Sequence, residues 1–377
     1  MEIMSQHPAL DQLMTVANLY DHPGTDALFL AALQESLRWH YEHNAVYSTL
    51  CDMAGFPPER LQTLDQVADV PWIFVNVFKY HELLSVPRED VVLNLTSSGT
   101  GGQKSQVFFD QGSMDRGYDM VRCCFDAYGL VSPDEEVNYL LFAYDPEEAK
   151  NVGTAATDDF ITGFARTHRT YHALKWNKRS QAFEFDLEQT YAALLDFAAE
   201  GYPVRILGFP AFLHRLLAHH RELGGQPLNL GPRSFVFTGG GWKTSENDRI
   251  DKDAFITEVA EVLGIPHGNL RDGFGMVEHG VPYIECECHR FHVPAYSRAF
   301  ARDVETLAPL PYGAEGFLHL VTPYLYSMPA ISLLTSDMAV VYDDCPCGRP
   351  TTTIELRGRA GTRKNKGCAI AASQLLK

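Results

Sequence analysis

Leu95-Thr96-Ser97-Ser98-Gly99-Thr100-Gly101-Gly102-Gln103-Lys104-Ser105 is the stretch that decides how the rest of the chain is read. It follows a short β-branched run at residues 91–95, so it reads as a strand emptying into a loop of hydroxyls and glycines closed by one cation. Glycines let backbone N–H groups come close to phosphate oxygens, Ser and Thr hydroxyls donate further hydrogen bonds, and Lys104 offsets negative charge. The plainer alternative is a flexible surface turn. Two common phosphate motifs are excluded by spelling. A Walker loop has Gly directly before Lys-Ser, where this chain has Gln103, and a dinucleotide fingerprint has Gly where Lys104 stands.

Outward from the loop, residues 9–86 read as helical, with 26–53 as one amphipathic stretch that Pro57 and Pro58 end. Residues 70–77 form an apolar run after this break. Downstream, strand patterns at 139–144, 204–207 and 234–238 alternate with helical patterns at 114–128, 187–200, 211–223 and 253–263, which predicts an α/β core. After Gly264 the spacing shortens to apolar runs at 316–321, 330–334 and 338–342 separated by Pro and Gly, as in a β-rich subdomain.

The 377 residues, 45% hydrophobic, are enough for one large or two ordinary domains. A formal net charge of −17 repels phosphate backbones and anionic lipid, so nucleic acid and membrane insertion are not expected. No apolar run reaches 18 residues and the N-terminus lacks the order of a signal peptide, which places the chain in the cytoplasm. Neither a G-x-S-x-G elbow nor an H-E-x-x-H helix is present, so the common hydrolase motifs are missing. Eight cysteines in such a chain point to metal or chemistry before disulfides.

The loop resembles the T-S-S-G-T-T-G phosphate loop of the adenylate-forming enzymes, which include acyl-CoA synthetases, luciferases and peptide-synthetase adenylation domains, with Gly101 in place of a Thr and the lysine one residue early. Three further motifs follow in that family's order. Phe237-Thr238-Gly239-Gly240-Gly241-Trp242-Lys243 resembles the glycine turn that lies against adenine. Asp272-Gly273-Phe274-Gly275-Met276-Val277-Glu278 resembles the aromatic-Gly-Met-Thr-Glu motif, with Val277 for Thr. The resemblance implies that Phe274 stacks near adenine, with Gly275 and Met276 beside it, and that Glu278 helps hold Mg2+, a cation that takes hard oxygen ligands. Leu334-Thr335-Ser336-Asp337 resembles the motif whose aspartate binds the ribose hydroxyls, and Gly358-Arg359 resembles a hinge whose arginine lies near ribose and phosphate.

The tail Lys366-Gly367-Cys368-Ala369-Ile370-Ala371-Ala372 places a thiol beside cations, Lys364 included, which favours the thiolate that attacks carbonyls. An incidental cysteine is the alternative. Together with the Gly-Gly-Gly-Trp-Lys run and the Gln-Lys-Ser-Gln end of the loop, this tail is similar to the LuxE-type acyl-protein synthetases, long-chain fatty acid to protein ligases. That resemblance implies a carboxylic acid, probed first as a fatty acid, activated with ATP and Mg2+ to acyl-AMP. Cys368 then takes the acyl group as a thioester and hands it to a partner such as an acyl reductase. The fold it implies is the α/β core of an adenylate-forming N-terminal domain with a β-rich subdomain, lacking most of the mobile C-terminal domain because the sequence ends at Lys377. Four segments are then expected: a helical segment at 1–90, the α/β core at 91–265, the β-rich part at 266–357, and a hinge with a mobile tail at 358–377. The expected catalytic residues are Cys368, Lys104 and Glu278, and the ATP-binding residues are Thr96, Ser97, Ser98, Gly99, Thr100, Gly101, Gly102, Gly239, Gly240, Gly241, Phe274, Gly275, Met276, Asp337 and Arg359.

Two C-x-C pairs stand apart from this. Glu285-Cys286-Glu287-Cys288-His289-Arg290-Phe291-His292 and Asp344-Cys345-Pro346-Cys347-Gly348 supply soft donors for a tetrahedral Zn2+. The favoured set is Cys286 or Cys288 with His292, Cys345 and Cys347, and the Cys-Pro-Cys-Gly-Arg run resembles one in phenylacetate-CoA ligase relatives, where it helps form a structural zinc site. Unliganded reduced thiols are the alternative. For the whole chain, two other functions stay open: an acyl-CoA or aryl-CoA ligase using a soluble thiol, and a degenerate adenylate-binding protein with an interaction role.

Overall fold

The computed structural model describes residues 7–96, 105–144, 160–242 and 249–360. They fall into two compact units, one drawn from Met1–Tyr128, Gly275–Ile284 and Arg290–Asn365, the other centred on Gly129–Phe274.

The first unit begins with helices Pro8–Met14, His22–His43 and Ala45–Met53. The single helix expected over 26–53 is two. Asn44 leaves the helical region at φ −133° and ψ 105°, and its side-chain oxygen accepts the Tyr47 N–H at 3.0 Å, so it caps a new helix. Tyr47 is fully buried there and its hydroxyl donates to the Pro71 carbonyl. Of the apolar run at 70–77, only Ile73–Phe74 is extended. It pairs in parallel with Leu333 and Leu334, near the start of the middle strand of an antiparallel sheet ordered Phe291–His292, Thr353–Arg359, Ser332–Tyr342, Glu315–Val321, Arg298–Arg302.

Ser332–Tyr342 merges two of the runs that looked separate. Between them Thr335 is buried and donates to the Leu318 carbonyl at 2.9 Å, so the strand continues through the polar Thr335-Ser336-Asp337. A hydroxyl that finds a carbonyl across the ladder costs the strand little. Opposite, the register slips between Met338 and Ala339, and Gly358 takes the slack at φ 120°.

The second unit is an open sheet ordered Leu270–Phe274, Phe235–Gly239, Val204–Gly208, Ser132–Tyr144, Ala165–Asn177, Ala182–Phe185, parallel except for its last pair. Helices Leu187–Glu200, Pro210–Glu222 and Lys252–Leu263 cover it. Leu140, Ile206 and Val236 of the strands meet Leu194, Phe212, Leu216 and Val259 of the helices in one core. Each such side chain contributes about 1.5–3 kcal/mol by burial. Asp186 and Asp251 cap two of the helices, and Gly201 and Gly264 end them in the left-handed region. The long strand Ala165–Asn177 was not anticipated, because its Arg, Thr and His residues are largely exposed and give no apolar run. Arg205 is equally unexpected in a central strand. It is 2% exposed, and its guanidinium donates to the Leu130 carbonyl and the Tyr139 and Ser132 hydroxyls.

Candidate functional site

In the first unit, strands Val91–Thr96 and Gln106–Asp110 pair antiparallel on either side of the glycine-rich stretch, with Thr96 opposite Gln106. Ser97, Ser98, Gly99, Thr100, Gly101, Gly102 and Lys104 lie outside the described residues, as does Cys368. The hairpin is held at Phe108, whose carbonyl accepts from Ser327 Oγ at 2.6 Å and whose N–H reaches Met328 Sδ at 3.5 Å.

Gly275, Met276 and Glu278 belong to a tight turn in which the Met276 carbonyl accepts the N–H groups of His279 and Gly280 at 3.1 and 2.8 Å. Glu278 is 7% exposed, and its carboxylate makes no hydrogen bond or ion pair among the described residues. Its oxygens are not among the fully buried polar atoms, so the carboxylate opens to solvent and is reachable by a cation.

Asp337 and Arg359 sit opposite each other on neighbouring strands, and Arg359 Nε donates to Asp337 Oδ1 at 2.8 Å. The Arg359 side chain is 60% exposed against 14% for Asp337. Such a surface pair is worth about 0–1 kcal/mol.

In the second unit, the carboxyl ends of three adjacent parallel strands bring Phe209, Gly239–Gly241 and Phe274 to one edge. Open parallel sheets bind ligands at this end of their strands. Gly240 and Gly241 have φ of 76° and 67°, and a Cβ on Gly240 would lie 2.6 Å from the Phe209 ring, so glycine is required there by both backbone and neighbour.

Asp272, two residues before Phe274, accepts from Thr238 Oγ1 at 3.1 Å and from the Gly273 N–H at 3.0 Å. Burial, then the nearby Glu285 charge, pushes its carboxyl up to about 7. Burial acts in the same direction on Glu285, but His289 and Lys252 hold it below its usual range. A carboxyl raised in the folded state contributes stability below its unfolded value near 3.8 and loses it as the pH rises towards 7. Asp272→Asn keeps both accepted bonds and should flatten the fall in melting temperature across that window, where each pH unit costs up to about 1.4 kcal/mol. An unchanged slope in thermal melts from pH 4 to 8 would refute the assignment.

The ligand atoms of Cys286, His292, Cys345 and Cys347 all lie within 4.8 Å of one another, and three of the four residues are buried. Both Cys-x-Cys segments close in the same way. The His289 N–H donates to the Cys286 carbonyl and the Gly348 N–H to the Cys345 carbonyl, with His289 and Gly348 at φ 56° and 80°. His292 Nδ1 is engaged by Thr351 Oγ1 at 2.7 Å, which leaves Nε2, 3.2 Å from Cys347 Sγ, to face the thiols. The donor set and spread suit Zn2+, with bonds of about 2.3 Å to sulfur and 2.0 Å to nitrogen. Cys288 is exposed and stands outside the four.

A sheet end that gathers glycines and an aromatic, with an aspartate–arginine pair and a carboxylate without a protein partner elsewhere in the chain, occupies the positions that the motif order singled out. The chain belongs to the acyl-protein synthetase (LuxE) family, whose model matches residues 10–377, and is a ligase. It is 29% identical over 343 residues to the long-chain-fatty-acid–luciferin-component ligase of Vibrio harveyi, covering 89% of this chain and 85% of that protein. Its identity to the protein of the same name from Aliivibrio fischeri is 28% over 346 residues, 91% of this chain and 87% of the other. Among solved structures, an open conformation of 2-hydroxyisobutyryl-CoA ligase with 2-HIB-AMP and CoA is similar in fold. The TM-score is 0.65 at 16% identity, over 91% of this chain and 71% of that one. Among the described residues no helix is long and apolar enough to cross a membrane.

Proposed function

We propose that this chain activates a long-chain fatty acid with ATP and passes the acyl group through Cys368 to a partner protein. The observation that carries the reading is Glu278, nearly buried and unpartnered in the turn where the resemblance expects a cation-binding carboxylate. The names of the curated relatives support a fatty acid as substrate.

Glu278 would hold Mg2+, which when bound offsets charge on the ATP phosphates. Residues 96–104 would wrap those phosphates, Gly239, Gly240 and Gly241 would lie along adenine with Phe274, and Asp337 would take the ribose hydroxyls in exchange for Arg359. The fatty carboxylate attacks the α-phosphorus, the bond to pyrophosphate breaks, and acyl-AMP forms. Residues 358–377 would then act as hinge and tail. The Cys368 thiolate attacks the acyl carbonyl, the carbonyl–oxygen bond to AMP breaks, and a thioester is left for a partner such as an acyl reductase. The four-ligand cluster would hold a structural Zn2+ that takes no part in these steps.

Fatty-acid-dependent exchange of labelled pyrophosphate into ATP tests the first half. Glu278→Gln should slow it about 100-fold, the scale seen when one charge-stabilising contact is removed. Wild-type exchange in Glu278→Gln, or no exchange by the wild type with any acid, would overturn the reading.

A further inference from the structure

One residue past Glu278, the chain buries a polar relay that the scheme above does not use. His279 is fully buried and its ring stacks on Tyr283, with centroids 5.8 Å apart and planes 6° from parallel. His279 Nε2 lies 2.7 Å from Tyr283 Oη, which lies 2.8 Å from Ser297 Oγ, which lies 3.0 Å from the Val321 carbonyl.

The Val321 carbonyl can only accept, so Ser297 donates to it, while His279 Nε2 stands within hydrogen-bond reach of both Tyr283 Oη and, at 3.3 Å, Ser297 Oγ, the three side chains closing a triangle. The other ring nitrogen of the fully buried His279 is Nδ1. That Nδ1 is buried and has no hydrogen-bond partner among the described residues. A buried ring nitrogen left without a partner is a cost that an apolar side chain here would avoid.

The relay grips the turn from one side and Tyr324 grips it from the other. Gly280 has φ 74°, and a Cβ there would sit 1.8 Å from Tyr324 Oη, so the backbone lies directly on that buried hydroxyl. The Met276 carbonyl closes residues 276–280 by accepting from His279 and Gly280, so the backbone bearing Glu278 is part of a hydrogen-bonded turn.

We propose that His279, Tyr283 and Ser297 are positioning residues for Glu278, their relay setting the direction in which its carboxylate meets the divalent cation carried by ATP. This rests on the reading of Glu278 given above. Groups that orient a metal-binding carboxylate alter the metal requirement more than the fold, and their loss typically weakens metal affinity 10–100-fold.

The test is the Mg2+ dependence of fatty-acid-dependent pyrophosphate exchange by the full chain at fixed ATP, with a thermal melt of each variant. Tyr283→Phe keeps the ring and cuts the relay; it should raise half-saturating Mg2+ about tenfold, with excess Mg2+ recovering most of the rate. His279→Leu should do the same, whereas His279→Gln, which can return an N–H to the Nε2 position, should stay within about threefold of wild type. A wild-type Mg2+ requirement in Tyr283→Phe, whether or not its melting temperature falls, overturns the proposal and leaves the relay purely structural. If Glu278→Gln also leaves the Mg2+ requirement unchanged, the reading of Glu278 falls as well; if Glu278→Gln shifts it and Tyr283→Phe does not, the relay alone is refuted.

Discussion

Incubated with ATP, Mg2+ and a labelled long-chain fatty acid, the protein should acquire one acyl adduct that neutral hydroxylamine removes, and Cys368→Ala should acquire none. Thioesters yield to neutral hydroxylamine whereas oxygen esters and amides resist it, so the wash identifies sulfur as the acceptor. Lys364 and Lys366 precede Cys368 closely in sequence, and nearby cations favour the thiolate over the thiol. The loss should be complete, because a methyl side chain cannot form the bond, while pyrophosphate exchange should persist in Cys368→Ala because adenylation precedes the thiol step. An adduct that survives in Cys368→Ala would move the acceptor elsewhere. Exchange without an adduct in the wild type would favour a ligase that hands the acyl group to a soluble thiol.

The second large effect concerns the four-ligand cluster. The protein as purified should carry one zinc per chain by elemental mass spectrometry, and Cys347→Ser should lose it. Structural Zn2+ binds zinc-finger peptides with about 10–16 kcal/mol, comparable to or larger than the roughly 5–15 kcal/mol net stability of a domain. Loss of one of three thiolates should therefore lower the melting temperature by about 10 °C or more, given a few degrees per kcal/mol in a unit of this size. Cys288→Ser is the control: Cys288 is exposed and outside the cluster, so metal content and melting temperature should stay near wild type. A metal-free wild type whose Cys288→Ser and Cys347→Ser variants melt alike would leave the cysteines as reduced thiols.

Much of the second unit was legible because its signals are local. Buried parallel strands such as Phe235–Gly239 form short apolar runs, and their covering helices carry a 3.6-residue period. Ala165–Asn177 escaped because an exposed strand obeys neither pattern. In the first unit the helix break at Asn44 was encoded by a residue type that caps as readily as it turns, and the apolar period on either side concealed it.

The candidate site divides in the same way. Glycines needed for positive φ, as at Gly240 and Gly241, and an aspartate opposite an arginine two strands' ends apart in sequence leave recognisable spellings, because the chemistry depends on those few residue types. By itself the sequence determined the family's motif order, the alternation of strands and helices in the core, and the number of soft donors available for a metal. Only the tertiary structure decided that Cys286 rather than Cys288 joins His292, Cys345 and Cys347, that Thr335 continues a strand, and that His279 meets Tyr283 and Ser297. The physical reason is that side-chain direction and hydrogen-bond partners are set by sheet register and packing between residues far apart in the chain, and a linear pattern records only what near neighbours do.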